Sequence, residues 1–225
     1  MTTQSISTPE PQPTAEVYQG QFGEFTITKS DRIGVIIYRT SLMIAAISFA
    51  IASNLALFYA DKPLAIQAIT PLYTCFILAL GVSLLTIHIY MKLLHQILQL
   101  FWIIGSISAL IFAHLDNQPF AITIYNQPLT LFGVGFTFAA LTGIFFKEGF
   151  CFNRLETKIL TPLVPLLLLG HLAGILSTQA EQVLLGIWVI AFLVFALRKT
   201  IQNIPADIGD KSVFEYLRNQ RLAKG

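Results

Sequence analysis

The chain has 225 residues, of which 55% are hydrophobic and only 12% charged, and its formal net charge is +2. Soluble domains carry about 25% charged residues, so an ordinary soluble domain is excluded. The apolar residues come in continuous runs, not the alternating pattern of a transmembrane barrel, which leaves an all-α, polytopic membrane bundle.

In chain order, residues 1–29 form the first region. They begin TTQSISTPEPQPTAE after the Met and contain no Lys or Arg before Lys29. This polar, proline-containing stretch buries too little apolar surface to fold and is expected to be a disordered tail. It lacks the basic start and apolar centre of a secretory signal. Residues 30–199 then supply six apolar spans. The first covers 33–59, with Ser30 and Asp31 as the helix cap. The second starts at Thr70-Pro71, with proline at the first helical position, and the third ends near Ala113. One helix over 71–113 would be about 64 Å long, roughly twice the hydrocarbon core. The chain must therefore turn, and the polar residues His88, Tyr90, Lys92, His95 and Gln96 mark the place. Spans over 128–146, 154–176 and 183–197 follow. The segment 120–125, between two Asn-Gln-Pro triplets, has strand-like propensity and is expected to be an extended outer loop. Residues 200–225 form a polar tail in which Val213, Phe214 and Leu217 suit a short amphipathic helix.

The basic residues orient this bundle. Of the 14 Lys and Arg, only Lys62 falls in an outer loop once the N-terminus is placed inside. Positive charge is retained on the cytoplasmic side, so both termini are expected there. The basic residues thus read as an anchoring pattern. No basic groove interleaved with aromatics points to nucleic acid. Cys75 and Cys151 fall on opposite sides, too far apart for the roughly 7 Å Cα separation that a disulfide allows.

Four groups of residues invite a functional reading. In FFKEGFCFNR, residues 145–154, Gly149 reads as the end of span four, and Asn153 with Glu156 as a capping box for span five. The same segment concentrates Phe145, Phe146, Phe150, Phe152 and Arg154, which suits docking of a partner. His171 is placed deep in span five. It reads either as an interhelical hydrogen-bonding group or as an axial ligand to haem or chlorophyll. Gly135, Ala139 and Gly143 form a small-residue stripe for helix packing, as do Gly170 and Gly174. His88 and His95 are about 10 Å apart along one helix face and cannot share a metal ion. No catalytic constellation and no zinc-type spacing is present in the sequence.

The block LTGIFFKEGFCFNRLETKILTPLVPLLLLGH, residues 141–171, resembles a domain-of-unknown-function family of integral membrane proteins from cyanobacteria and plastids. IYNQPLTLFGVGFTFAA and VYQGQFGEFTITKSDR are similar to it as well. The resemblance implies a thylakoid or plasma membrane setting near photosynthetic machinery and supplies no catalytic residues. Three functions are weighed. The first is a non-enzymatic accessory or assembly protein that contacts the lipid bilayer and other membrane subunits and needs no cofactor. The second is a small-solute transporter or channel. The third is a haem- or pigment-binding protein using His171.

Overall fold

The computed structural model describes residues 16–115 and 118–224. A two-stranded antiparallel hairpin opens the described chain, β1 (Val17–Gly20) and β2 (Gly23–Thr26), pairing Tyr18 with Phe25. It falls inside the segment expected to be a disordered tail, and corrects that expectation for residues 17–26; residues 1–15 lie outside the described residues. The hairpin forms because its aromatic residues have something to cover. Tyr18 and Phe25 stack at 5.7 Å and pack on a small cluster of Ile27, Val35 and Ile208.

Among the described residues, six helices are long and apolar enough to cross a membrane. They are α1 (Lys29–Phe58), α2 (Pro63–Thr86), α3 (Lys92–Leu115), α5 (Leu131–Phe152), α6 (Leu155–Leu172) and α7 (Thr178–Thr200), with a 3-10 turn, Pro128–Thr130, leading into α5. Between α3 and α5 lies a short helix, α4 (Phe120–Asn126). After α7 come α8 (Ile204–Ile208) and α9 (Ser212–Lys224). At 1.5 Å per residue, a 24-residue helix such as α2 is about 36 Å long, enough for the hydrocarbon core.

The ends of these helices follow local chemistry. Thr28 caps α1 in a reciprocal capping box with Asp31, two positions before the expected cap. Pro63 starts α2, so Pro71 lies inside the helix rather than at its head. The turn between α2 and α3 falls at residues 87–91, within the region marked by the polar cluster. Residues 120–125 are helical, not extended. The α4 helix buries Phe120 against Tyr73, at 5.0 Å between rings, and this burial outweighs strand propensity.

In the bundle α1 packs on α2 and α7, α5 on α3 and α6, and α6 on α7. Its centre is aromatic: Phe49 lies 4.6 Å from Trp188 and 5.9 Å from Phe76, and Phe145 sits between Phe192 and Phe195. Isoleucines and leucines such as Leu78, Leu110 and Ile190 face outward. Lipid tails are as apolar as these side chains, so helices in a bilayer associate through close packing and small residues.

The structure selects among the expected small residues. A Cβ on Gly143 would collide with Leu98 of α3, so Gly143 is a true contact. Gly135 has only its own helix nearby, and Ala139 is half-buried. The tight face is rotated from the expected one. Gly105 abuts the backbone of Thr137, and Gly133 abuts Ser108. Gly170 and Gly174 are not a helix-packing pair. They belong to the end of α6, where the Ile175 N–H donates to the Gly170 carbonyl and the Gly174 N–H to the His171 carbonyl. This Schellman closure places Gly174 at φ 65°, a left-handed conformation that glycine adopts without steric cost, and folds Leu176 over Gly170.

Candidate functional site: a buried ionic network at one end of the bundle

The hairpin, the α2–α3 and α5–α6 turns, and α8–α9 gather at one end of the bundle. Beneath them charged side chains are sealed among the helices. The α1 helix supplies Tyr38 and Arg39, α5 supplies Lys147 and Glu148, α7 supplies Lys199, and α8 supplies Asp207. Lys199 and Glu148 are both fully buried, and Nζ of Lys199 stands 2.8 Å from Oε2 of Glu148. The same ammonium pairs with Oδ1 of Asp207 and lies 4.7 Å above the Phe152 ring. On its other oxygen Glu148 accepts from Lys147 at 2.8 Å and from the Tyr38 hydroxyl at 3.3 Å. Asp207 is held a second time by Arg39, whose Nε donates to Oδ2 at 2.8 Å. The remaining guanidinium nitrogens donate to the carbonyls of Gln202 and Asn203.

A second set adjoins it. Glu156 pairs with Arg198 at 2.9 Å and faces Arg154 at 3.7 Å. Gln202 joins the two sets: its Oε1 accepts from both Arg154 and Lys199, while its Nε2 donates to Asp207. The first set holds Arg39, Lys147 and Lys199 against Glu148 and Asp207, so one positive charge is in excess. The second is likewise one cation in excess. Removing these ions from water costs several kcal/mol each, and only close pairing with further hydrogen bonds offsets that cost. The geometry meets this condition for Lys199, whose ammonium has two carboxylates, an amide oxygen and an aromatic face around it. Directly beneath lie Phe145, Phe192 and Phe195, each with no exposed surface.

This arrangement corrects the reading of residues 145–154. The α5 helix continues through Gly149 to Phe152, and Asn153 takes the left-handed conformation at φ 53°. Arg154, not Asn153, occupies the cap position of α6, and Glu156 is consumed by its ion pairs, so no capping box forms. Of the residues expected to dock a partner, Phe145 is in the core, while Phe152 and Arg154 turn toward the network. Phe146 and Phe150 alone face outward, 55% and 83% exposed and stacked at 6.4 Å. Cys151 and Cys75 are free and exposed.

His171 lies in the last turn of α6, not deep within the span. Its Nδ1 is 2.7 Å from Oε1 of Glu181, and its Nε2 is 3.1 Å from the carbonyl of Tyr125. The Tyr125 hydroxyl closes the triangle by donating to Glu181 at 3.1 Å. Both ring nitrogens are thus engaged, and an iron or magnesium ion would have to displace one of these partners. Among the described residues, no three or more His, Cys, Asp or Glu converge to hold a metal ion.

Outside the spans, burial pushes the His88 imidazole below its ordinary pKa, in the turn where it packs against α1. Burial, together with the charge of Asp210, raises the Tyr90 hydroxyl to about 12, and this hydroxyl donates to the Ile208 carbonyl at 2.6 Å. Tyr38, Glu148, Lys199 and Asp207 escaped sequence reasoning as a group. The available signal was a Lys-Glu pair near the end of α5 and an aspartate inside the otherwise apolar IPADI, two places where a surface anchor needs no carboxylate.

The family model described as "Uncharacterized integral membrane protein (DUF2301)" matches residues 82–216. That interval contains Glu148, Lys199 and Asp207 and leaves out Tyr38 and Arg39. No curated protein and no solved structure matches the chain.

Proposed function

Because the chain belongs to the DUF2301 family of integral membrane proteins, we propose that it acts as a non-enzymatic accessory or assembly subunit of a larger membrane complex. The observation that carries this reading is the division of the FFKEGFCFNR segment. Phe145, Phe152 and Arg154 are spent on holding the bundle together, whereas Phe146 and Phe150 stack outward on the same helix. A rigid helix presenting two aromatic side chains is a suitable anchor, since aromatic residues that fill pockets supply much of the binding energy at interfaces. The aromatic packing of the interior, from Phe49 and Trp188 to Phe195, fits a scaffold better than a conduit. No cofactor enters this reading. The orientation we propose puts both termini in the cytosol, on the distribution of Lys and Arg. A cyanobacterial thylakoid or plasma membrane setting rests on the sequence resemblance alone.

Purification from the native membrane tests the proposal. Replacing Phe146 and Phe150 together by alanine should release a co-purifying membrane subunit while leaving thermal unfolding of the bundle unchanged. A coloured preparation that bleaches on His171→Ala, with partner binding indifferent to the two phenylalanines, would favour the pigment-binding alternative and overturn the proposal.

A second reading, a small-solute transporter or channel, draws on one observation: Glu148 and Asp207 share the Lys199 ammonium, an arrangement suited to exchanging a proton or cation. Its test is flux into liposomes, which Glu148→Gln should abolish.

A further inference from the structure

A groove of about 510 Å³ runs between the α2–α3 turn, the start of α3 and the α9 helix. Ile89, Tyr90, Phe214, Leu217 and Leu222 give it an apolar floor and side, and Lys92, His95 and Arg218 line it as well. Its walls are held in place. Tyr90 stacks on Phe214 at 4.9 Å and is tied to α8 through the Ile208 carbonyl. Phe22 of the hairpin stacks on Tyr216 at 4.0 Å, bracing α9 from its other side. His95 sits against the end of α2, its Nε2 2.6 Å from the Leu84 carbonyl.

The lining is one-sided in charge. Lys92 and Arg218 bring two positive charges, and no acidic residue lines the groove among the described residues. Asp210, which influences Tyr90, is turned to the hairpin, where it accepts from Gln21 and Ser212. Position adds to this. Lys92 is the first residue of a helix long enough to cross the membrane, and exposed Met91 and Leu93 flank it. Such a residue stands where headgroups begin. A cavity lined by apolar and aromatic side chains together with two cations, Lys92 and Arg218, matches an amphiphile carrying a phosphate.

We propose that this groove binds an anionic phospholipid, with its phosphate between Lys92 and Arg218 and an acyl chain along Ile89, Leu217 and Leu222. Basic pockets at the ends of membrane helices recognise anionic headgroups in this manner. A zwitterionic lipid would bring an extra positive charge to a site that already has two.

Native mass spectrometry of the full chain in neutral detergent reads the outcome directly, with phosphatidylglycerol and phosphatidylcholine as probes. Phosphatidylglycerol should be retained in preference to phosphatidylcholine. Lys92→Gln combined with Arg218→Gln should weaken its binding by roughly thirty-fold, the effect of two surface cations. Both residues are exposed, so the variant should fold, and Lys62→Gln at the opposite end should leave retention unchanged. Glycerol phosphate, which lacks acyl chains, should fail to compete at equal concentration. Equal retention of the two lipids, or a preference surviving in the double variant, would overturn the proposal. So would full competition by glycerol phosphate, because the apolar floor would then contribute nothing, and so would occupation of the groove by a protein segment that excludes lipid.

Discussion

The two ends of the bundle solve the same problem differently. Where the hairpin and α9 gather, four elements, α1, α5, α7 and α8, are fastened by a network centred on Lys199 and Glu148, which have no exposed side-chain surface. At the far end, α4, α6 and α7 meet through one partly exposed pair, His171 and Glu181, at 18% and 14% exposure, and α6 is closed mainly by its own backbone. The first end depends on partners distant in sequence and loses much if one is missing. The second depends on local turn geometry and tolerates loss.

The sharpest test of this contrast removes Lys199. Lys199→Met leaves Glu148 and Asp207 buried without their shared cation and should destabilise the protein by about 3–5 kcal/mol, as is usual for breaking a buried pair from one side. Thermal unfolding in detergent measures it, and a loss below that of a far-end substitution would erase the distinction.

Two glycines with positive φ make the next comparison. Gly209, at φ 72°, is approached by the Tyr90 hydroxyl, whereas Gly174, at φ 65°, faces open space. Backbone strain alone should cost about 1–3 kcal/mol for Gly209→Ala, with the collision against Tyr90 added. Gly174→Ala should cost about 1–2 kcal/mol from its left-handed conformation. Equal melting shifts would mean that the Tyr90 contact does not constrain α8.

Smaller still is Glu181→Gln. It removes the charge beside His171 but keeps an oxygen for Tyr125, and surface-accessible ion pairs contribute about 0–1 kcal/mol. Thermal unfolding in detergent should move by less than it does for Gly174→Ala.

The mildest effect concerns acid. Asp210 is held below the ordinary carboxylate range, first by the Gln21 N–H and then by the Ser212 hydroxyl. A depressed folded value means that this contact contributes fully above the ordinary aspartate pKa, about 3.9. It is lost as the pH falls through the lower folded value. The protection of the Gln21 and Phe22 amides, relative to the intrinsic exchange rate at each pH, should therefore fall in acid before the spans respond.

The six spans were legible because length and hydropathy are properties of contiguous sequence, and Pro128 marks a helix start in the usual way, whereas the last span begins at Thr178, capped by Ser177, and not at 183. The family could be read from the block at 141–171, although the match establishes the family alone. The network was not legible, since Glu148 meets Lys199 across 51 positions and no local pattern encodes that meeting. Phe145 and Phe150 look alike in the sequence, yet one is buried and the other exposed, because the continuation of α5 to Phe152 fixes which side each one faces. Gly135 and Gly143 share the same difficulty. Their spacing is right for a packed face, but the face turned to α3 runs through Gly133, Thr137 and Gly143 and leaves Gly135 off it.

Asp207 has one more implication, for the order in which the molecule is made. Chains emerge from the ribosome N-terminal end first, so Arg39 reaches the membrane 168 positions ahead of the aspartate that pairs with it. Until α8 has been synthesised, Arg39 lacks its carboxylate and Lys199 has only Glu148. A nascent chain halted before residue 207 would hold six hydrophobic helices and an excess of cations among them. Its helices would lack the two ion pairs that Asp207 makes at that end. Asp207 of the short α8 helix is thus the last charged member of the network to be made, and the pairing of Arg39 and Lys199 is complete only once it is in place.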